Sequence, residues 1–502
     1  MRGNVCIRFS QSGTSKWSRR SGWNETRMSK LSEEASRDRR TSILRQVVFG
    51  LIVGASKFEV GMVIGWSAIL PKIQADNTTG IVITEDDVTW LVASPSIAGL
   101  VVTLATGPLM EFVGPSRLLF IMYLPIALLW LVQAFTPYLS VLYLARYGAS
   151  GLYMVLGSLP ATLISELSEA KTRGFLLGFE EVIVAVGQMA VYVMADLLPW
   201  TLATALCAAP FVFLFGFAYF LPESPYWLVR KGREEDASKA LKRLRGLEAD
   251  VKDELEEIVR AIKGRKQTTI KDQLRQFVHP YHYRPVILLA LIFTLRELGG
   301  QYVLFTYTVY LFRRAGVDLD AFICTILVGV MRVVFTTLGC VVVDRLGRRP
   351  LIITTSLVCG VAEAVGAVFL LVDVPGASWV PLAAVLLFVS SYGFGLGPIP
   401  WALLGELLPT PIRFIGSSIC IFSFSLTQFV VSYLFPLLMD YAGVGVAFLV
   451  FSAAHGILGL VLWAFLPETR GQSLSDLQDC FTPVERMKEQ VQLRNYKKSD
   501  DS

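Results

Sequence analysis

The sequence predicts an all-α membrane protein with twelve membrane-spanning helices, arranged as two halves of six and joined by a helical loop. Hydrophobic residues make up 53% of the 502 residues and charged residues 17%. The mean hydropathy of +0.54 is one that a soluble domain could hardly reach without large exposed apolar patches. The apolar residues fall into runs of about 20, the length that crosses a bilayer. Short motifs also recur between the two halves.

Three motifs occur twice in the chain at nearly one spacing. They are Pro222-Glu-Ser with Pro467-Glu-Thr, Glu166 and Arg173 with Glu406 and Arg413, and Glu111-x-x-Gly114 with Asp344-x-x-Gly347. Three matches at a similar offset indicate an internal duplication, which is the organisation of many membrane transporters.

The elements follow in order from a polar amino-terminal tail. Residues 1–44 carry arginine pairs and no apolar signal-peptide core, so we expect a disordered cytosolic tail. The apolar runs that could span a bilayer are 47–70, 88–110, 117–136, 139–164, 175–197, 200–220, 285–312, 320–343, 350–372, 380–404, 412–438 and 443–466. The predicted division is an amino-terminal half over 45–221, a cytosolic helical linker over 222–284, a carboxy-terminal half over 285–467 and a cytosolic tail over 468–502.

The linker begins where the sixth apolar run stops. Pro222 and Pro225 cannot continue a helix, because each lacks an amide donor and restricts the residue before it. After Gly232 an apolar stripe at helical spacing, surrounded by charges, predicts a soluble amphipathic helix. The stripe is Ala237, Ala240, Leu241 and Leu244.

The lysines and arginines of the short loops predict the orientation. They concentrate on the side of the linker and of both chain termini, whereas the opposite loops are acidic, so both termini are expected in the cytosol of a cell-membrane protein. The Asn77-Thr-Thr sequon lies in the first outside loop, where glycosylation is expected.

Four motifs in order resemble the sugar porter branch of the major facilitator superfamily, in particular insect facilitated trehalose transporter-like proteins. They are Pro222-Glu-Ser-Pro225, Asp344-Arg-Leu-Gly-Arg-Arg349, Gly397-Pro-Ile-Pro-Trp401 with Gly405-Glu406, and Pro467-Glu-Thr-Arg-Gly471. The resemblance covers about 45–475. It implies the major facilitator fold, a central cavity and alternating access.

Charged residues near the inner membrane surface are candidates for a cytosolic gate. Opposite charges at helix ends can hold that side shut in one conformation and separate in another. The alternative is that they are solvated charges that only set topology. The first-half motif has Pro115-Ser116-Arg117 where the family has adjacent arginines, so that half of the gate is expected to be weaker. The candidates are Glu111, Glu166, Arg173, Glu223, Asp344, Arg345, Arg348, Glu406, Arg413 and Glu468.

The resemblance also implies the residues of the substrate cavity. Arg296 and Glu297 stand where the family has paired glutamines, and Glu181 stands at a position that is often glutamine. Uncharged amides suit a neutral polyol, and charges do not obviously suit one. The cavity candidates are Glu181, Gln188, Arg296, Glu297, Tyr302, Tyr307, Trp401, Phe424 and Gln428.

Further charges lie deep in the apolar runs. They are Lys57, Glu59, Arg146, Glu180 and Glu363. Ionisable residues at such depth pair with each other or line a cavity. Three interpretations stay open: internal ion pairs, a charged substrate, or proton coupling. For the pairs we expect Glu181 to meet Arg296 and Lys57 to meet Glu297. Proton-coupled sugar porters place their carboxylate at Gly61, so that precedent does not transfer directly.

The sequence excludes other classes. It has no Gly-Lys-Ser/Thr phosphate loop, no metal-ligand spacing and no cofactor motif, so we expect neither an enzyme nor an ATP-driven pump, and no nucleic-acid partner. Two functions remain: a carrier of a sugar or similar polar solute, with the bilayer and possible protons as its other partners, and a non-transporting sensor of the same fold.

Overall fold

A computed structural model describes residues 44–76, 80–168, 170–246, 250–263, 275, 277–372, 376, 378–409 and 412–470. In this part of the chain eleven helices are long and apolar enough to cross a membrane, or twelve if Glu85–Val102 and Ala105–Val113, bent by 64° at their break, form one span. The spans are Leu44–Ala75, this bent pair, Pro115–Phe135, Leu139–Leu167, Leu176–Leu197, Trp200–Ala218, Pro280–Thr306, Ala321–Val343, Arg348–Val372, Val380–Leu407, Ile415–Tyr441 and Gly443–Phe465. The predicted all-α fold is confirmed.

Spans 1–6 and spans 7–12 form the two halves. In the first half, span 1 packs on span 5, and span 4 packs on spans 2 and 3. In the second half, span 7 packs on spans 11 and 12, and span 9 packs on spans 10 and 12. The halves meet where span 5 packs on span 8 and span 2 on span 11. Any polar side chain on these four surfaces can therefore lie between the halves.

Between span 6 and span 7, the described residues include three short helices. They define the side of the protein that we call the linker face, and the opposite side is the far face. The three helices are Pro225–Arg230, Glu234–Arg245 and Lys252–Lys263. The predicted stripe of Ala237, Ala240, Leu241 and Leu244 is buried, as expected for an amphipathic helix. Trp227 and Ile258 complete a small apolar core that is separate from that of the spans.

The repeated Pro-Glu motif caps a helix in each half. The Glu223 carboxylate accepts the N–H groups of Ser116, at 2.9 Å, and Arg117, at 3.2 Å, at the start of span 3. Glu468 accepts those of Arg348 and Arg349, at 3.1 and 3.2 Å, at the start of span 9. Carboxylates suit helix amino termini, whose N–H groups lack partners within the helix. Burial of Glu468 raises its pKa, but these N–H groups, with those of Arg470 and Thr469, outweigh burial and hold the pKa below its usual value.

A glycine stands directly before each of the two capped helices. The capping carboxylate leaves no space for a side chain at this position. Gly114 and Gly347 have φ of +97° and +89°, a region that favours glycine. A Cβ added at Gly114 would lie 2.6 Å from Glu223 Oε2, and one added at Gly347 would lie 2.9 Å from Glu468 Oε2. The duplicated Glu/Asp-x-x-Gly motif and the duplicated Pro-Glu motif are therefore two parts of one junction.

Spans 7 and 10 are interrupted beside buried polar residues. Span 7, predicted as one run over 285–312, breaks at Gly299 and Gly300, and the chain resumes as Gln301–Thr306 and Thr308–Arg314. Span 10 contains a π-helical turn at Tyr392–Leu396. The glycines of this turn allow close packing, because a Cβ at Gly393 would lie 2.8 Å from Thr336 Oγ1.

Candidate functional site

A deep ion pair joins spans 1 and 5. Its lysine was expected to pair with a different carboxylate. Lys57 Nζ lies 3.3 Å from Glu180 Oε2, whereas we expected it to meet Glu297. The two helices approach closely because glycines line the contact: a Cβ at Gly61 would lie 2.6 Å from the backbone nitrogen of Gln188. This approach brings Lys57 to Glu180, so the expected pairing with Glu297 is wrong.

Glu59 and Arg146 form a second deep pair of charges in the first half. Glu59 is fully buried, and within the described residues neither of its carboxylate oxygens has a hydrogen-bond partner. The Arg146 guanidinium lies 4.4 Å from the centroid of the Trp66 ring and donates to the carbonyl of Val63 at 2.9 Å. The two charges interact electrostatically without a direct hydrogen bond.

Arg296 and Glu297 pair with each other at the end of the first part of span 7. Arg296 Nη1 lies 3.4 Å from Glu297 Oε1, and both side chains are buried. Arg296 also donates to the Tyr392 hydroxyl, and Gln301 donates to Glu297. Glu181 is half-buried and lies within electrostatic reach of Arg296. Glu181 was expected to be the ion-pair partner of Arg296, but the observed partner is Glu297.

Sequence reasoning missed Arg332, although its signal was present as a lone arginine in an apolar run. Arg332 of span 8 is 5% exposed and donates from Nη1 to the side-chain oxygen of Gln188 in span 5. Its guanidinium carbon lies 4.2 Å from the Phe305 ring centroid and 6.0 Å from that of Tyr392. Gln188 in turn contacts the Tyr192 hydroxyl. We call Gln188, Arg296, Glu297, Gln301, Arg332 and Tyr392 the interface cluster.

The predicted aromatic residues lie on spans 7, 10 and 11, and Trp401 contacts this cluster. Trp401 and Phe424 pack edge to face at 5.4 Å between centroids, and the Arg296 guanidinium lies 6.0 Å from the Trp401 ring. Tyr302 donates to the Val92 carbonyl of the other half at 3.2 Å, and Gln428 lies beside the Tyr302 hydroxyl. Tyr307 donates at 3.4 Å to the carbonyl of Ser432. Most of these side chains therefore make their contacts within the second half.

Glu363 pairs with a histidine that the sequence did not single out. His455 Nδ1 lies 2.8 Å from Glu363 Oε2, and both side chains are buried between spans 9 and 12. The His455 ring lies directly behind Gly299, since a Cβ there would lie 2.6 Å from Nε2. This pair packs behind the break in span 7.

The charges of the linker face form pairs within a half. Glu111 meets Arg230 at 3.2 Å and Lys231 at 3.1 Å, and Glu166 meets Arg230 at 3.8 Å. Glu406 meets Arg348 at 3.2 Å. The first-half motif was expected to be weak, yet Glu111 has two cationic partners. The side chains of Arg173, Asp344 and Arg413, and the sequon at Asn77, lie outside the described residues.

Contacts between the halves close the far face. Tyr310 donates to Gln74 Oε1 at 2.6 Å, and Arg314 lies 3.8 Å from Glu85 while also contacting Asp440. Gln74 and Glu85 belong to the first half, and Tyr310 and Arg314 follow span 7 in the second. This structure is therefore a conformation whose far side is shut by contacts that join the halves.

Two repeated six-helix halves, a buried polar cluster between them and one closed face define a multi-pass membrane transporter. The chain belongs to the sugar (and other) transporter family, whose model matches residues 39–481. This match confirms the prediction of a carrier rather than an enzyme.

Similar proteins agree with the family assignment. The chain is 29% identical over 447 residues to the facilitated trehalose transporter Tret1 of Culex quinquefasciatus, covering 86% of this chain and 85% of that protein. It is 31% identical over 448 residues to Tret1 of Drosophila yakuba, covering 87% of this chain and 52% of that protein. The chain thus spans about half the length of the Drosophila relatives.

Solved structures show the same fold. The proton:xylose symporter XylE bound to 6-bromo-6-deoxy-D-glucose aligns with a TM-score of 0.72 at 22% identity, covering 88% of this chain and 100% of that chain. The inward-open conformation of XylE from E. coli aligns with a TM-score of 0.70 at 21% identity, covering 86% and 99%. The predicted major facilitator fold is confirmed.

Proposed function

We propose that this protein carries a sugar or a similar polar solute across the cell membrane by alternating access, as a facilitative carrier. The observation that carries the proposal is the interface cluster, in which polar groups of both halves meet, with the far face closed above it by Tyr310–Gln74 and Arg314–Glu85. A carrier needs a bistable arrangement of this kind, because one set of contacts must separate while another forms.

The packing at Gly61 supports facilitated movement over coupling to a proton there. A side chain at this position would collide with the backbone of span 5, as the 2.6 Å approach to Gln188 shows. The carboxylate that proton-coupled sugar porters place here therefore has no space. Glu59, buried two residues earlier without a hydrogen-bond partner in the described part of the chain, favours a proton as the second candidate.

A cross-link at the far face tests the carrier. In the double variant Gln74→Cys/Tyr310→Cys, a short thiol-reactive cross-linker should hold the far face shut. We expect uptake of radiolabelled trehalose or glucose into oocytes to fall to background after cross-linking, and to remain normal in each single variant treated alike. Uptake that survives a complete cross-link contradicts alternating access. Absence of any uptake by the unmodified chain supports the sensor instead.

The orientation is proposed from the charge of the two faces. The linker face carries the basic motif at 345–349 and the basic run Arg230, Lys231 and Arg233, whereas Asp76, Glu85 and Asp87 lie on the far face. Short basic loops stay in the cytosol, so we place both termini and the linker inside. Epitope tags at residue 20, near 250 and after 480 should be reached by antibody only in permeabilised cells, and a tag near 79 in intact cells. Labelling near 250 in intact cells contradicts this orientation.

A further inference from the structure

Arg332 is a buried cation whose partners are all uncharged. Its Nη1 donates to the amide oxygen of Gln188, and the faces of Phe305 and Tyr392 lie against its guanidinium. In the part of the chain that the structure describes, no carboxylate forms an ion pair with it. Two other deep cations have a carboxylate as ion-pair partner, since Lys57 has Glu180 and Arg296 has Glu297, whereas Arg146 interacts with Glu59 electrostatically without an ion-pair contact.

A charge without an opposite charge beside it costs free energy at this depth in the membrane. Such residues usually have a function. Charged side chains inside membrane proteins commonly mark the path of a substrate, and they pair with an opposite charge. Aromatic faces stabilise a guanidinium, but they do not neutralise it. Within the described residues, no ion pair supplies the opposite charge for Arg332, so a bound solute is a candidate to supply it.

The position of Arg332 indicates that the transported solute could supply the opposite charge. It lies on span 8 where this helix packs on span 5, so it is held between the two halves. Its hydrogen bond to Gln188 uses Nη1 alone, which leaves Nε and Nη2 as donors in the fork geometry that matches a carboxylate or phosphate. Arg296, beside Tyr392, already has Glu297 as its counter-ion.

We infer that Arg332 binds an anionic group of the transported solute, so that the substrate class is an acidic sugar or a comparable hydroxylated organic acid. Gln188 and the Tyr392 ring both contact Arg332, and their side chains carry the neutral polar groups proposed for the sugar hydroxyls. This inference rests on the proposed carrier function, and it names the class of solute.

Binding to the purified full-length chain tests the inference. The probes are D-glucuronate for a carboxylate, D-glucose 6-phosphate for a phosphate, and D-glucose as the neutral sugar of similar size. We expect one of the two acids to bind more tightly than glucose. In Arg332→Gln its affinity should fall by about tenfold to a hundredfold, the value of hydrogen bonds to a charged group. Glucose affinity should be nearly unchanged, and Arg332→Lys should retain part of the preference.

Stability of the same variants separates this inference from an internal ion pair. Glu181 is the carboxylate to consider, because it lies within electrostatic reach of Tyr392 and Arg296. If the solute supplies the counter-ion, solute-free Arg332→Gln unfolds at the same temperature as the unmodified chain or at a higher one, because the variant removes a costly unpaired charge. A lower unfolding temperature that Glu181→Gln restores in the double variant overturns the inference.

Uptake distinguishes failure of the inference from failure of the carrier proposal. In one outcome the chain transports neutral sugar, neither acid competes with this uptake, and Arg332→Gln does not change it. This outcome overturns the inference of an anionic substrate and leaves the carrier proposal intact. Binding of an acid that requires Arg332 in a chain that moves no solute supports the anion site and contradicts the carrier.

Discussion

Arg296→Gln should abolish surface expression, because it leaves Glu297 as a buried charge without its cation. Arg296 and Glu297 are 3% and 1% exposed, and they are each other's ion-pair partner. Removing one member of a buried pair costs about 3–5 kcal/mol, a large fraction of the stability of most proteins. Thermal unfolding of the detergent-purified variant and antibody labelling of intact cells measure the loss.

The double variant Arg296→Gln/Glu297→Gln separates a charge effect from a packing effect. It removes both charges and places two amides where sugar porters carry paired glutamines, so expression should return. A matched control is Arg314→Gln on the far face, where the side chain is half-exposed and its ion pairs are expected to contribute at most about 1 kcal/mol. An Arg296→Gln variant as stable as this control contradicts the buried pair.

The sequence predicted the spans well, since an apolar run of bilayer length depends on composition alone. The observed span Trp200–Ala218 lies within the predicted 200–220, and Gly443–Phe465 within 443–466. The sequence also showed that the Pro-Glu and Glu/Asp-x-x-Gly motifs are repeated, but we interpreted Glu223 and Glu468 as gate charges. Their role as helix caps depends on Gly114 and Gly347 with positive φ, which only the folded chain shows.

The partners of the deep charges could not be predicted. Neighbouring helical residues point about 100° apart, so Arg296 and Glu297 were expected to find separate partners. The helix ends at Leu298, and the long arginine side chain reaches the carboxylate beside the break. Arg332 and His455 were detectable as single ionisable residues in apolar runs. What each of them meets depends on the packing of spans 5, 8, 9 and 12.

The Glu363–His455 pair allows the last test of whether a deep charge stabilises the fold. Its two side chains are almost fully buried, and Phe388 packs against the His455 ring at 5.7 Å between centroids. One repeat earlier, Tyr123 of span 3 packs against Phe211 of span 6 at 6.2 Å, so the fold tolerates an uncharged contact between the equivalent helices. The charges are therefore specific to the second half.

His455→Leu should destabilise the protein by about 3–5 kcal/mol, because Glu363 loses the only side-chain partner described for it. The double variant Glu363→Met/His455→Leu should recover this loss, since replacing a buried pair with apolar residues of similar volume is often neutral or stabilising. The matched control Tyr123→Phe removes a hydroxyl that is unpaired within the described residues, and it should leave the unfolding temperature unchanged. Unfolding temperatures of the purified variants decide the outcome: a double variant as unstable as His455→Leu would show that the pair positions the break at Gly299 through its shape rather than its charge.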